Sequence, residues 1–222
     1  VVPPATGEQP PPRKLVQFCV SNGIKAVRVC PNAHSFIPDP RTMGGLFAEL
    51  QKRRVPVLWD SMKRQDHPWE HAPDWRSIAD MAAAFPRLPI VVIFTGMLQG
   101  RNLLPIMARY PNVFSDLTCQ SYQFIEFVVE KLGSDRLVMA SHFPLEEPSL
   151  YTTWINYAGV SMADRRSWRT AANDSEAARK SSASESRSGI GCSSKASPRT
   201  KRFSWRARQD ETGHRCEVLV VE

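Results

Sequence analysis

The sequence lacks a long apolar run, closely spaced cysteines and a secretory leader, and each absence narrows what the chain is. Its longest nearly apolar stretch, Leu88 to Leu98, is interrupted by Pro89 and Gly96. A helix that crosses a bilayer needs about 20 apolar residues, so this stretch reads as a buried strand and no membrane role is expected. The five cysteines, Cys19, Cys30, Cys119, Cys192 and Cys216, are odd in number and include no CxxC pair. That argues against a disulfide framework or a zinc knuckle and fits a reducing cytoplasm best. The Pro-rich start, residues 1–12, has neither an apolar segment nor a small-residue cleavage site of the secretory kind, so no export is expected. A first residue of Val rather than Met leads to the expectation of a processed chain or a piece of something longer.

What is present is ordinary for a globular protein. Of 222 residues, 42% are hydrophobic, 9% aromatic and 23% charged. The net charge of +7 is unevenly placed: residues 1–170 carry 19 basic and 15 acidic side chains, residues 171–222 carry 10 and 7. The last quarter of the chain therefore holds nearly half of the excess, and charge of this kind favours acidic partners.

From Lys14 to Tyr157 one unit recurs, a short β-branched run, a loop and an amphipathic stretch. The runs are 25–30, 55–60, 89–94, 113–118 and 136–140; the helical candidates are 42–53, 75–85, 101–110, 122–132 and 150–157. In the fourth of these, Phe124, Phe127, Val128 and Leu132 share one face at 3.6 periodicity. Continuously apolar strands separated by helices predict a parallel sheet, hence an α/β fold of the TIM-barrel-like kind, partial or completed. In such a fold the chemistry sits at the C-terminal ends of the strands. The segments to inspect are therefore 31–36, 60–71, 94–101, 116–121 and 141–147.

The pattern stops near Arg169. Residues 171–200 hold nine Ser and few aliphatic residues, too little apolar surface to offset chain entropy, so the basic tail 169–222 is expected to be disordered. Val218 to Val221 could pair as an edge strand but has no obvious partner. Three units follow: a Pro-rich segment 1–12, a β/α barrel portion 13–168 and the tail.

The motifs Pro111-Asn-Val-Phe-Ser-Asp116, Ile125-Glu-Phe-Val-Val-Glu-Lys-Leu-Gly-Ser-Asp-Arg-Leu-Val138 and Ser141-His-Phe-Pro144, with Ala158-Gly-Val-Ser-Met-Ala-Asp-Arg165, stand in one order. Together they resemble the last β/α units of the amidohydrolase-related family, metal-dependent hydrolases and decarboxylases on a distorted TIM barrel. The resemblance runs from about Gly23 to Arg166. It implies a divalent metal, zinc or manganese, and a small carbonyl substrate.

Taken position by position, the metal motifs of that family are degenerate here. No HxH occurs in the chain. Asp60 stands where the resemblance implies a histidine, Phe94-Thr95-Gly96 where it implies His-x-Gly, and His142 where it implies an aspartate. A hydrolytic site needs about three or four N and O ligands and an open position for water. Asp60 and His142 are the best remaining metal ligands, and two are too few. The loop cluster Asp66, His67, Glu70 and His71 could add ligands, but Pro68 disfavours a helix there and a solvated polar loop is the simpler reading.

Other candidates lie at the strand ends. Arg28 either binds an anion inside the barrel or pairs with a carboxylate, and Asp116 is a partner it could take if Phe114 also faces inward. His34 orients a ligand or is a hydrogen-bonded loop histidine. Arg101 opens a helix near the expected site. Trp59 and Phe94 are most simply core residues. No catalytic residue can be assigned.

A complete barrel takes about 250 residues and eight strands, against five counted here. By the resemblance these are the last five. An open remnant would expose apolar core unless a partner or a second copy covers it, so a homo-oligomer is one expectation. A shifted reading frame or a fused tail is another, for the loss of pattern near Arg169. Three functions compete: a metal-dependent hydrolase of small molecules that is impaired or a fragment; a non-catalytic binding or assembly protein on the same fold; and, ranked last, binding of nucleic acid or another acidic surface. The last rests on Arg199, Lys201, Arg202, Arg206 and Arg208, interleaved with Phe203 and Trp205. The isolated chain is expected to lack appreciable hydrolase activity.

Overall fold

A computed structural model describes residues 10–32, 34, 36–61, 74–95, 99–117, 120–140, 148–166, 168, 203–209 and 215–221. Helix α1 (Pro12–Ser21) leads into strand β1 (Val27–Val29), and four β/α units follow. They are α2 (Pro40–Arg53) with β2 (Val57–Asp60), α3 (Trp75–Ala84) with β3 (Ile90–Ile93), α4 (Gly100–Arg109) with β4 (Val113–Asp116), and α5 (Tyr122–Leu132) with β5 (Leu137–Val138). Helix α6 (Pro148–Tyr157) comes next, and residues 162–166 are helical. The five strands form one parallel sheet in the order β1-β2-β3-β4-β5. These are the five strands expected from the sequence, each shorter than expected at one end or both. Among the described residues no strand joins β1 to β5, so the sheet is an unclosed portion of a barrel.

The element boundaries follow local chemistry. Asp39, Asp74 and Ser121 cap α2, α3 and α5 by accepting the backbone N–H groups of Arg41, of Arg76 and Ser77, and of Phe124. Helix α1 falls across the end of the Pro-rich segment and the start of the barrel portion, where the sequence reading placed no element. Pro12 at its first turn gives up an N–H that the helix would leave unsatisfied anyway.

Alternation along each strand separates two faces. The outer one carries Val27, Val29, Val57, Trp59, Ile90, Val92, Val113 and Leu137, packed with helix residues such as Phe47, Leu50, Ile78, Met81, Leu103 and Met107. The inner one gathers Leu58, Val91, Ile93, Phe94 and Val138. An open remnant was expected to leave such side chains bare. Instead Val91 is 0% and Ile93 1% exposed, so this interior is shielded from water even without a closed sheet.

Two residues of the sequence motifs turn out to hold the frame together. Asn112 Nδ2 donates to the carbonyls of Phe85 (3.0 Å), Leu88 (3.0 Å) and Ala82 (3.3 Å), tying the end of α3 to the start of β4. Arg136 donates to the carbonyls of Met107 (2.9 Å), Tyr110 (3.0 Å) and Val113, and lies 5.5 Å from the centre of the Phe114 ring. Burial pulls the pKa of this guanidinium down, against the opposing pull of Asp135. Its place at the end of α4 still suits a cation, because the carbonyl end of a helix is electronegative.

The tail differs from expectation in part. Residues 203–209 and 215–221 form β6 (Phe203–Gln209) and β7 (Arg215–Val221), an antiparallel pair whose register runs from Phe203 opposite Val221 to Gln209 opposite Arg215. The run 218–221 thus has a partner, one rich in β-formers at Phe203 and Trp205. The expected disorder of 171–200 lies outside the described residues. At the other end of the barrel portion, Trp168 is buried in the main core and its indole N–H donates to the carbonyl of Ser134 at 3.0 Å.

Replacing Arg136 by Met removes its donors from the part-buried carbonyls of Met107, Tyr110 and Val113, of which Tyr110 keeps only the backbone N–H of Val113. The expected loss is about 2–4 kcal/mol of unfolding free energy, read as a lower urea midpoint. A midpoint within error of the parent would show that these contacts do not hold the frame.

Candidate functional site

The sheet register fixes which residues meet at the strand ends. Arg28 pairs with Leu58, Leu58 with Val91, and Val91 with Phe114, which makes one inward row. Two residues further on, and therefore on the same face, Asp60 pairs with Ile93 and Asp116 with Val138. Cys30 follows Arg28 by the same step. The C-terminal mouth of the sheet thus presents a cation, a thiol and two carboxylates on an apolar floor.

The central contact is an ion pair. Arg28 Nη2 lies 2.5 Å and Nε 3.1 Å from Asp60 Oδ2, and Cys30 Sγ lies 3.6 Å from the same oxygen. Asp60 is 6% exposed, whereas the Arg28 side chain is 37% exposed. Burial opposes the charge on Arg28, but Asp60, by attraction and hydrogen bonding, and Cys30 outweigh it, and the guanidinium pKa moves up. The Cys30 thiol is also pushed up, first by burial and then by the Asp60 carboxylate. A thiol held protonated is a poor nucleophile.

Asp116 does not take the partner the sequence suggested. Its side chain faces inward as expected and is fully buried, but Arg28 pairs with Asp60. The reason is strand order: β2 adjoins β1, while β4 is three strands away, roughly 14 Å at about 4.8 Å per strand. Asp116 Oδ2 instead lies 3.5 Å from the backbone N–H of Phe94. Phe94 has φ 59°, left-handed backbone that a bulky residue adopts at a cost. Its ring belongs to the inner cluster and fills a place where the resemblance implies a histidine.

The remaining candidates are dispersed. His34 is exposed, stacks on Phe36 with ring centres 6.5 Å apart, and donates its backbone N–H to the carbonyl of Cys30. Among the described residues no hydrogen bond joins it to the ion pair. Arg101 is exposed near the start of α4. His142 and the cluster Asp66, His67, Glu70 and His71 lie outside the described residues. Among the described residues no group of three His, Cys, Asp or Glu is placed to hold a metal ion. Asp60, one of the two ligands expected from the sequence, already has a guanidinium on its inner oxygen. A divalent ion there would meet a fixed positive charge, so the described residues do not fit a metal site.

Two buried polar residues at neighbouring strand ends were not singled out from the sequence. Thr95, just past β3, is 2% exposed, and Gln120, four residues past the end of β4, is fully buried. Both lie within the strand-end segments marked for inspection, but burial of a polar residue leaves no mark on the sequence.

The sequence matches no protein-family model and no curated protein. Solved structures do share the fold. An uncharacterized TIM-barrel protein from Bordetella bronchiseptica is 19% identical with a TM-score of 0.56, covering 69% of this chain and 58% of its own. The 2,6-dihydroxybenzoate decarboxylase from Rhizobium is 18% identical with a TM-score of 0.50, covering 69% and 62%. A putative amidohydrolase from Staphylococcus aureus is 14% identical with a TM-score of 0.50, covering 69% and 64%. At these identities the likeness establishes a TIM-barrel fold, in keeping with the resemblance read from the motifs. The chain spans about three fifths of the length of these barrels.

The chemistry of Cys30 is open to measurement. Its alkylation by iodoacetamide at pH 8 should be far slower than that of an unfolded thiol. Because its folded pKa is raised, its contribution to stability is complete below the ordinary thiol value of about 8.5 and is lost as pH rises through the folded value. Rapid labelling of Cys30 in folded protein would contradict this placement.

Proposed function

We propose that the chain is a catalytically impaired relative of metal-dependent hydrolases of small carbonyl compounds, one that holds a small molecule at its strand ends without turning it over. The observation that carries this reading is the Arg28–Asp60 ion pair. It ties up a carboxylate that the resemblance would give to a metal, and Phe94 offers no donor in place of another ligand. Water activation at neutral pH needs a metal that lowers the pKa of bound water to about 7, and that ion needs ligands. No described side chain at the mouth substitutes for it, since the Cys30 thiol holds its proton.

A second reading is supported by the edges of the sheet. Among the described residues β1 and β5 each pair on one side only. Elsewhere on the described surface Phe18 of α1 and Tyr157 of α6 are exposed by 61% and 74%. Such surface favours assembly, a second copy included.

Elemental analysis of purified protein, with turnover assays on ester, amide, lactone and carboxylic-acid panels in added zinc or manganese, tests the first reading. Substoichiometric metal and no metal-dependent turnover are expected. Turnover that is lost in Asp60→Ala would restore an active enzyme.

A further inference from the structure

The strands are parallel, so every helix-to-strand connection reaches the same end of the sheet, opposite the mouth. The first four connections, each taken with the last helical turn before it, are residues 18–26, 50–56, 81–89 and 106–112. They hold Lys25, Lys52, Arg53, Arg54, Arg87 and Arg109, all exposed, and no Asp or Glu. The carboxylates of α1 to α4 are Glu49 and Asp80, each just before the last turn of its helix, and Glu49 is engaged by Lys52 at 2.6 Å. The fifth connection is balanced, with Glu130 and Asp135 beside Lys131 and Arg136. The excess of positive charge is thus confined to the β1 to β4 side of this end.

Helix chemistry accounts for part of this charge only. Cations in a last helical turn complement the helix dipole, which covers Lys52 and Arg53 in α2 and Arg109 in α4. Lys25 and Arg87 instead follow helices that have no basic residue in the last turn, and stand in the connections beyond them. The array is also tied together. Arg53 Nη2 donates to Gln17 Oε1 at 2.9 Å, joining α2 to α1, and the backbone N–H of Arg87 donates to Gln51 Oε1 at 3.0 Å, joining the third connection to α2. Arg109 lies 5.9 Å over the ring centre of Tyr110. Strands about 4.8 Å apart spread the four connections over roughly 14 Å.

The form of this end selects the partner. The four links from helix to strand, 22–26, 54–56, 85–89 and 110–112, are short, so no long loop projects from them. Their aromatic residues, Phe85 and Tyr110, are half-buried. Single-stranded nucleic acid is held by aromatic side chains that stack on its bases, and these links present none exposed. A cationic end without projecting loops fits a flat anionic surface, the headgroup layer of an acidic membrane.

We infer that the β1 to β4 side of the N-terminal end of the sheet adsorbs to anionic lipid headgroups through Lys25, Arg53, Arg54, Arg87 and Arg109. None of the described helices is long and apolar enough to cross a membrane, so this binding is electrostatic, reversible and weakened by salt. It uses the end of the sheet opposite the mouth and does not depend on a ligand there.

Co-sedimentation of the full chain with vesicles tests it. The chain should bind phosphatidylcholine vesicles that contain about a quarter phosphatidylserine, should not bind phosphatidylcholine alone, and should lose at least about tenfold in affinity as salt rises from about 50 to about 500 mM. Lys25→Glu with Arg87→Glu should weaken binding at least about tenfold. Arg41→Glu with Arg76→Glu makes the same change in net charge in the first turns of α2 and α3, at the other end of the sheet, and should weaken it less than about threefold. Lys25→Gln with Arg87→Gln should give a smaller loss than the Glu pair, and is read in its place if the Glu pair lowers the melting temperature. Absence of binding to the phosphatidylserine vesicles, unchanged binding in the Lys25 and Arg87 variants, or equal weakening by the Arg41 and Arg76 pair overturns the inference. Binding to a duplex oligonucleotide in place of the vesicles also overturns it, and assigns this end to nucleic acid.

Discussion

The mouth of the sheet depends on one ion pair between adjacent strands. Parallel pairing of β1 with β2 sets Arg28 beside Leu58, and the length of the arginine side chain carries its guanidinium up to Asp60 in the next inward row. Asp60 is nearly inaccessible to water, and a carboxylate so placed needs a counter-charge. Once the guanidinium supplies that charge, a divalent ion at the same oxygen is disfavoured, and Cys30 is held protonated first by its burial and then by the neighbouring carboxylate. The absence of ligand character at Phe94, whose ring packs into the inner cluster, agrees with the same outcome.

The motifs that carry the family resemblance act on the frame rather than on the chemistry. Asn112 gathers three carbonyls at the end of α3, and Arg136 gathers three at the junction of α4 and β4. Neither faces the strand ends where a ligand would sit. A chain can keep these residues, and with them the barrel geometry, while the positions where the resemblance implies metal ligands take other side chains. Fold and function are therefore separable here, as the solved TIM-barrel structures with different names also illustrate.

The strand and helix pattern was legible because β-branched runs and 3.6-residue periodicity are local signals. Helix α1 was not, since the prolines at its start read as a separate Pro-rich segment, although Pro12 is a helix-start residue. Strand alternation put Asp116 on the inner face only if Phe114 also faces inward, and alternation does not give strand order; order gave Arg28 to Asp60. The pairing of β6 with β7 likewise needed a partner chosen across a turn. Gln120 was hidden for another reason: nothing in a sequence distinguishes a solvated glutamine from a buried one with both amide groups unpaired.

The central claim is that Arg28 and Asp60 stabilise one another at the position where the resemblance implies a metal ligand. A double-mutant cycle with Arg28→Met, Asp60→Asn and both together, measured by urea unfolding, tests it most directly. Because the Arg28 side chain is 37% exposed and so partly screened, a coupling of about 1–2 kcal/mol is expected, below the 3–5 kcal/mol cost of breaking a fully buried pair. Single-variant effects that add to within about 0.3 kcal/mol would contradict the account.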